Sequence, residues 1–174
     1  QTDVIVGVPM ANRRRRPSND CMGFLVNTHA IRVTIDPSQS LLYHVVETAR
    51  ALSDAQSHQE MPLAFVLREV IERDLQGFPE ILFRNLFIFH TLKPLRPFFS
   101  SVSFEQQPNP STGGAMADVA LQVLRSPDGL LCQFQWDIET FNPHDIQRLA
   151  DLYERACRQL ASPTKSILTA LWKL

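Results

Sequence analysis

The sequence predicts an α/β fold: a two-layer sandwich in which helices pack on one mixed β-sheet. Three observations predict it. Short strand-like runs and longer amphipathic helical patterns follow one another along 174 residues, with no internal repeat. "NLFIFHTL" at 85–92 is apolar on both alternating faces, as in a central strand covered on both sides. "DVALQVLR" and "LLCQFQWDI" flank "SPDG" at 126–129, where Pro127 and Gly129 sit as a hairpin turn requires.

The elements follow in order. "DVIVGV" at 3–8 reads as a short buried strand ended by Pro9, and the polar stretch 12–20, with Arg13 to Arg16 and Pro17, reads as a loop. Residues 22–35, rich in Phe, Val, Ile and Thr, predict a second strand. Asp36, Pro37 and Ser38 signal a helix start, and Leu42, Val45, Ala49, Leu52 and Ala55 recur at spacings of three and four. Pro62 suits the first turn of a second helix, carried by Phe65, Val66, Val70 and Ile71 to about Asp74 and closed by Gly77 and Pro79. After the central strand, 98–106 reads as extended and 107–114 as a loop rich in Pro, Asn, Ser and Gly. Beyond the hairpin, Asn142 caps and Pro143 opens a last long helix with Ile146, Leu149, Tyr153, Ala156 and Leu160 on one stripe. A further short helix is expected after Pro163.

Composition narrows the function. At this length one domain buries roughly 70% of its unfolded surface, so a real core is expected. With 44% hydrophobic residues, 20% charged and a net charge of -1, the chain has ordinary globular composition. No apolar run approaches the roughly 18 residues of a membrane span, and no signal pattern is visible, so the expectation is a cytoplasmic protein with no membrane partner. The chain opens at Gln1 straight into an apolar strand, as a piece of something longer would. Cys21, Cys132 and Cys157 are odd in number and widely spaced, which suits three reduced, mostly buried thiols rather than disulfides or zinc.

Familiar catalytic patterns are few. "GVPMAN" and "STGGAM" lack the spacing and the Lys of a phosphate cradle. The five histidines are scattered, with no second ligand one helical turn away, and no metal site is expected. No Gly-x-Ser-x-Gly elbow is present. Arg13 to Arg16 lack a companion basic and aromatic stripe in a slightly acidic chain, so they read as a solvated loop and not as a nucleic-acid site.

Three motifs say more together. "VIVGVPMANR" at 4–13, "GFLVNTHAIR" at 23–32 and "HQEMPLAFVLREV" at 58–70, in this order and separation, resemble the C-terminal lobe of a nonribosomal peptide synthetase condensation domain. The family pattern there is an Ile-Gly-x-Pro-Val-Ala-x-Arg strand and loop, a Gly-Phe-Phe-Val-Asn-Thr strand with a later Arg, and a His-Gln-Asp-x-Pro-Phe-Glu junction. Weaker matches follow. Arg73-Asp74 begins the family's Arg-Asp-x-Ser-Arg-Asn-Pro-Leu motif, which then degenerates through "LQGFPEI" and keeps only Pro79. Asp118 fits a Lys-Phe-Asp-Leu strand start, with Met116 and Ala117 replacing the first two residues. Epimerisation and heterocyclisation relatives resemble Phe-Asn-Tyr-Leu-Gly where this chain reads "NLFIFHT", which favours condensation.

The resemblance implies one chloramphenicol acetyltransferase-like half of a two-lobed domain, spanning 1–174, with the N-terminal lobe absent. It implies amide formation between a carrier-bound donor thioester and a carrier-bound acceptor amine in a tunnel between the lobes. Its partners would be the N-terminal lobe, peptidyl and aminoacyl carrier proteins and an adjacent adenylation domain. No cofactor would bind directly; phosphopantetheine would arrive on the carriers. The His-His-x-x-x-Asp-Gly signature is nowhere in the chain, so it holds no catalytic residue and should be inactive alone. Two alternatives stay open: a non-catalytic docking module, and part of a free-standing acyltransferase of the superfamily.

The resemblance also assigns residues. In a strand, Asn27 and His29 share one face while Thr28 takes the other. Asn27 reads either as a tunnel-wall residue orienting arm or substrate, or as a strand-bridging structural amide. Thr28 and His90 are further tunnel candidates, with a satisfied core histidine as the alternative for His90. Arg13, His58, Gln59 and Asp118 read as structural or lobe-joining, His58 and Gln59 by fixing a helix start. Thr28 and His29 are weaker candidates than Asn27.

Overall fold

A computed structural model of the protein describes residues 3–13, 21–73, 82–90, 114–126 and 129–161. They form β1 (Asp3–Met10), β2 (Asn27–Thr34), α1 (Leu41–Ser57), α2 (Leu63–Arg73), β3 (Asn85–His90), β4 (Val119–Ser126), β5 (Gly129–Trp136) and α3 (Pro143–Ala161). The expected strand over 98–106, the closure at Gly77 and Pro79, and the helix after Pro163 lie outside the described residues.

The strands make one five-stranded mixed sheet in the order β2-β1-β3-β4-β5. β1 pairs antiparallel with β2, β1 with β3 and β3 with β4 run parallel, and β4 with β5 closes an antiparallel hairpin. The predicted turn is confirmed in register, with Ser126 opposite Gly129 and Gly129 at φ 144, a backbone region that favours glycine.

Register sorts the side chains into two faces. Val6, Met10, Asn27, His29, Ile31, Phe87, Phe89, Val119, Leu121, Val123 and Phe134 share one, and the helices pack at its β2 and β5 sides. Phe134 meets Tyr153 of α3 edge-on at 6.3 Å, and Ile146 in the first turns of the same helix is buried. Met10, Ile31, Val119, Leu121 and Val123 form the core, and enclosing a side chain such as Val123 stabilises by about 1.5–3 kcal/mol. The opposite face is more polar: Thr28, His90, Gln122, Gln133 and Gln135 belong to it, beside Gly7 and Ala120.

Gly7 has a packing reason. A methyl there would lie 2.7 Å from the Leu86 side chain and still closer to the Phe83 ring, so only glycine lets Phe83 lie on β1.

Several expectations are corrected. β2 begins at Asn27, not at 22, because β1 ends at Met10, the partner of Asn27, and nothing remains for 22–26 to pair with on that side. α1 begins at Leu41 with Ser40 as its cap, whose Oγ accepts from the Tyr43 amide. Asp36 instead closes a turn, accepting from the Ser38 amide and hydroxyl, and these bonds hold its carboxyl below the ordinary range. α1 is also rotated relative to the predicted stripe: Leu42 is 71% exposed and Val45 is exposed, whereas His44 is buried with Nε2 2.9 Å from the Asp36 carbonyl. In β3, Phe89 is 47% exposed, so the central strand is not sealed on both faces. The cysteines are free, but Cys21 and Cys132 are exposed and Cys157 half-buried.

The last helix starts as predicted. The Asp145 amide donates to Asn142 Oδ1 at 3.0 Å and the Asn142 amide to Asp145 Oδ2 at 3.4 Å, a reciprocal capping arrangement.

Candidate functional site at the carboxyl end of the parallel strands

β1, β3 and β4 point the same way, and their carboxyl ends, with the start of antiparallel β2, define one end of the sheet. Open α/β sheets bind ligands outside such strand ends. Asn27, Thr28, His29, His90 and Arg13 all lie here.

The centre of the arrangement is the junction between β2 and the α1–α2 turn. His58 ends α1: its amide donates to the Ala55 carbonyl, and Nδ1 lies 2.9 Å from the Asp54 carbonyl. The Met61 amide then donates to the His58 carbonyl at 2.9 Å, making 58–61 a closed turn, and Pro62 leads into α2. Thus His58 stops one helix, where the sequence predicts that it fixes the start of the next. Gln59 is buried within the turn.

Asn27 reaches across to this turn. Its Nδ2 donates to the Gln59 carbonyl at 3.1 Å and to the Met61 carbonyl at 2.6 Å. His29, two residues on and on the same face, sets Nε2 3.2 Å from the Gln59 carbonyl and 3.3 Å from Asn27 Nδ2. A carbonyl only accepts, so the proton belongs on Nε2, and Gln59 O receives two bonds on its two lone pairs. Two motifs separated by some thirty residues are therefore one hydrogen-bonded unit. His29 ranks low on motif grounds, yet strand alternation alone already places it beside Asn27.

Thr28 and His90 belong to the opposite face of the sheet. His90 Nε2 lies 3.3 Å from Oε1 of the buried Gln122, which sits diagonally across the β3–β4 pair. The structure thus brings Asn27 together with the Gln59 turn, and His90 with Gln122, but not Asn27 with His90.

Arg13 shapes the approach. Asn12 turns the chain at φ 52, and the Arg13 guanidinium donates to the Cys21 carbonyl at 2.7 Å and the Gly23 carbonyl at 3.0 Å. The pinned segment holds Phe24 90% exposed and Met22 fully exposed. Met61 and Phe65, also exposed, line a shallow depression with Glu60 and Pro62.

Asp118 lies at the other end of the sheet. Arg84 donates to Asp118 Oδ2 at 3.0 Å, and the Asp118 carbonyl accepts from the Asp137 amide, fastening the starts of β3 and β4 and the end of β5. Asp3 and Arg32 do the same for β1 and β2 through a bidentate pair with a contact of 2.7 Å, which holds the Asp3 carboxyl below its ordinary range. Near α3, burial pushes the Tyr153 hydroxyl up to about 12, aided by its contact with Cys157, and partial desolvation with the neighbouring Cys157 also raises the Cys132 thiol. No cluster of three or more metal-ligating side chains occurs among the described residues, and none of their helices is long and apolar enough to cross a membrane.

The fold is shared with solved condensation domains of peptide synthetases. The chain superposes on the first condensation domain of the CDA synthetase with a TM-score of 0.68 at 18% identity, covering 97% of this chain and 37% of that one. On the four-domain nonribosomal peptide synthetase AB3403 the TM-score is 0.78 at 16% identity, over 98% of this chain and 14% of the other. Residues 1–173 match the Condensation domain family, and the chain belongs to it. Among curated relatives, a linear gramicidin synthase of Brevibacillus parabrevis is 31% identical over 158 residues, 88% of this chain and 2% of that protein. Enniatin synthase of Fusarium equiseti is 26% identical over 173 residues, 97% of this chain and 5% of the other. The chain therefore spans only a small part of the curated relatives it matches.

Proposed function

We propose that this chain is most of the C-terminal lobe of a condensation domain. In the whole protein, that domain joins a carrier-bound donor thioester to a carrier-bound acceptor amine. The observation that carries the reading is the Asn27 bridge, which unites the "FLVNTH" and "HQEMP" motifs at the strand end where α/β sheets bind ligands. In this reading the tunnel passes the strand end itself, where Asn27 lines it from one face of the sheet and Thr28 and His90 from the other. Arg13 presents Met22 and Phe24 to the N-terminal lobe, while His58, Gln59 and Asp118 hold the frame. Peptidyl and aminoacyl carriers bring phosphopantetheine arms to the two tunnel mouths, an adenylation domain loads the acceptor carrier, and the assembly works in the cytoplasm.

This lobe acts by shape. Holding two tethered reactants in line makes their encounter effectively unimolecular, which lowers the barrier by several kcal/mol. The proton chemistry falls to the His-His-x-x-x-Asp-Gly motif of the other lobe, so this chain alone is inactive.

The test uses the full-length protein with donor- and acceptor-loaded carriers, and mass spectrometry of the released product. Amide product is expected from the full-length protein and none from residues 1–174 alone. Full-length protein that docks loaded carriers without forming product would overturn the catalytic reading and leave a docking module.

A further inference from the structure

We propose that Asn27 contacts ligand as a hydrogen-bond acceptor, through Oδ1, and that its partner is an N–H group. The inference rests on the condensation reading above. Both Nδ2 hydrogens are committed to carbonyls that can only accept, Gln59 O at 3.1 Å and Met61 O at 2.6 Å, so the amide cannot be turned round. Oδ1 accepts no hydrogen bond among the described residues, yet it is not among the buried side-chain atoms left without a partner. It therefore faces solvent as a fixed, open acceptor at the carboxyl end of the parallel strands. His29 is the positioning residue. By donating to Gln59 O at 3.2 Å it holds the carbonyl that orients the amide.

Two N–H sources share this chemistry: the α-amine of the acceptor and the amide groups of a pantetheine arm. A fixed acceptor selects for either over an isostere without the hydrogen, because the isostere leaves Oδ1 desolvated and unpaired.

The experiment measures, by calorimetry on the full-length protein, the Kd of two probe pairs. One pair is the N-acetylcysteamine thioester of alanine against its propionyl counterpart. The other is pantetheine against the analogue whose amide N–H groups are replaced by ester oxygens. The N–H member of at least one pair is expected to bind about fivefold more tightly, and the pair that shows it identifies the source. Asn27→Ala brings that ratio to about one. His29→Ala lowers it, and His29→Gln, which can still donate to Gln59 O, restores it; a generally loosened fold would weaken both members of a pair equally.

Wild-type ratios of about one in both pairs overturn the proposal, as does a wild-type ratio kept in Asn27→Ala. Should Asn27→Ala not fold, the wild-type ratios and the His29 variants decide alone. Amide formation is read separately: product with an insensitive ratio refutes this inference only, and a sensitive ratio without product refutes the condensation reading only.

Discussion

Asn27 and Met61 are joined by a 2.6 Å hydrogen bond from the side-chain amide of the first residue of β2 to the carbonyl of the last residue of the α1–α2 turn. With the second bond to Gln59 O, it ties the strand end to the turn, whose own closing bond runs from the Met61 amide to the His58 carbonyl. Asn27→Ala should cost about 1–3 kcal/mol by leaving carbonyls short of donors. Asn27→Asp should cost more, although it is the closer isostere, because a carboxylate then faces two carbonyls. Urea unfolding of the two variants checks the order; an aspartate variant as stable as the alanine one contradicts the donor geometry.

Gly7→Ala should destabilise by about 1–3 kcal/mol through overpacking against Phe83 and Leu86. Adding Phe83→Leu should recover part of the loss, since contacting sites couple. Chemical denaturation of the single and double variants measures the coupling, and strict additivity would argue against the contact.

The Asp3–Arg32 pair makes acid stability depend on one half-buried carboxyl. The Arg32 hydrogen bonds lower the Asp3 pKa from 3.8 in the folded protein. Its contribution is therefore full above the unfolded value and is lost as pH falls below it, through the lower folded value. Asp3→Asn should flatten the acid limb of a denaturation-midpoint profile below about pH 4, and an unchanged limb would remove Asp3 as its source.

Tyr153 gives the opposite limb. Its hydroxyl is pushed up to about 12, so between the ordinary 10.0 and that value the folded state holds a proton that the unfolded chain releases. Stability contributed by this group falls as pH rises through that window. Tyr153→Phe should delete the latest step of the ultraviolet phenolate titration.

Arg13→Ala should speed amide hydrogen exchange at 21–24 while changing the global midpoint little. Arg13→Lys should not rescue it, because a point ammonium cannot span the Cys21 and Gly23 carbonyls as the planar guanidinium does. Hydrogen exchange read by mass spectrometry distinguishes the two variants from wild type.

Most of the fold was legible because hydrophobic period and turn chemistry are local. The Ser126–Gly129 hairpin and the Asn142 cap follow from residues a few positions apart. The rotation of α1 was not legible: apolar spacing favoured Leu42 and Val45, but His44 finds the Asp36 carbonyl and turns inward with it. Likewise "MGFLV" has strand character, and only the end of β1 at Met10 tells where pairing stops. At the candidate site, alternation placed Asn27 and His29 on one face. What they meet there is a turn some thirty residues away, and no periodicity encodes that.

The order β2-β1-β3-β4-β5 also fixes a sequence of assembly. β1 and β2 can zip once residue 34 has emerged from the ribosome, but the inner edge of β1 has no neighbour until Leu86 arrives opposite Gly7. Bringing such distant segments together demands loop closure before any pairing rewards it, which slows folding. During synthesis, the nascent hairpin therefore waits with one bare strand edge through the translation of α1 and α2, and that interval is when a chaperone has most to protect.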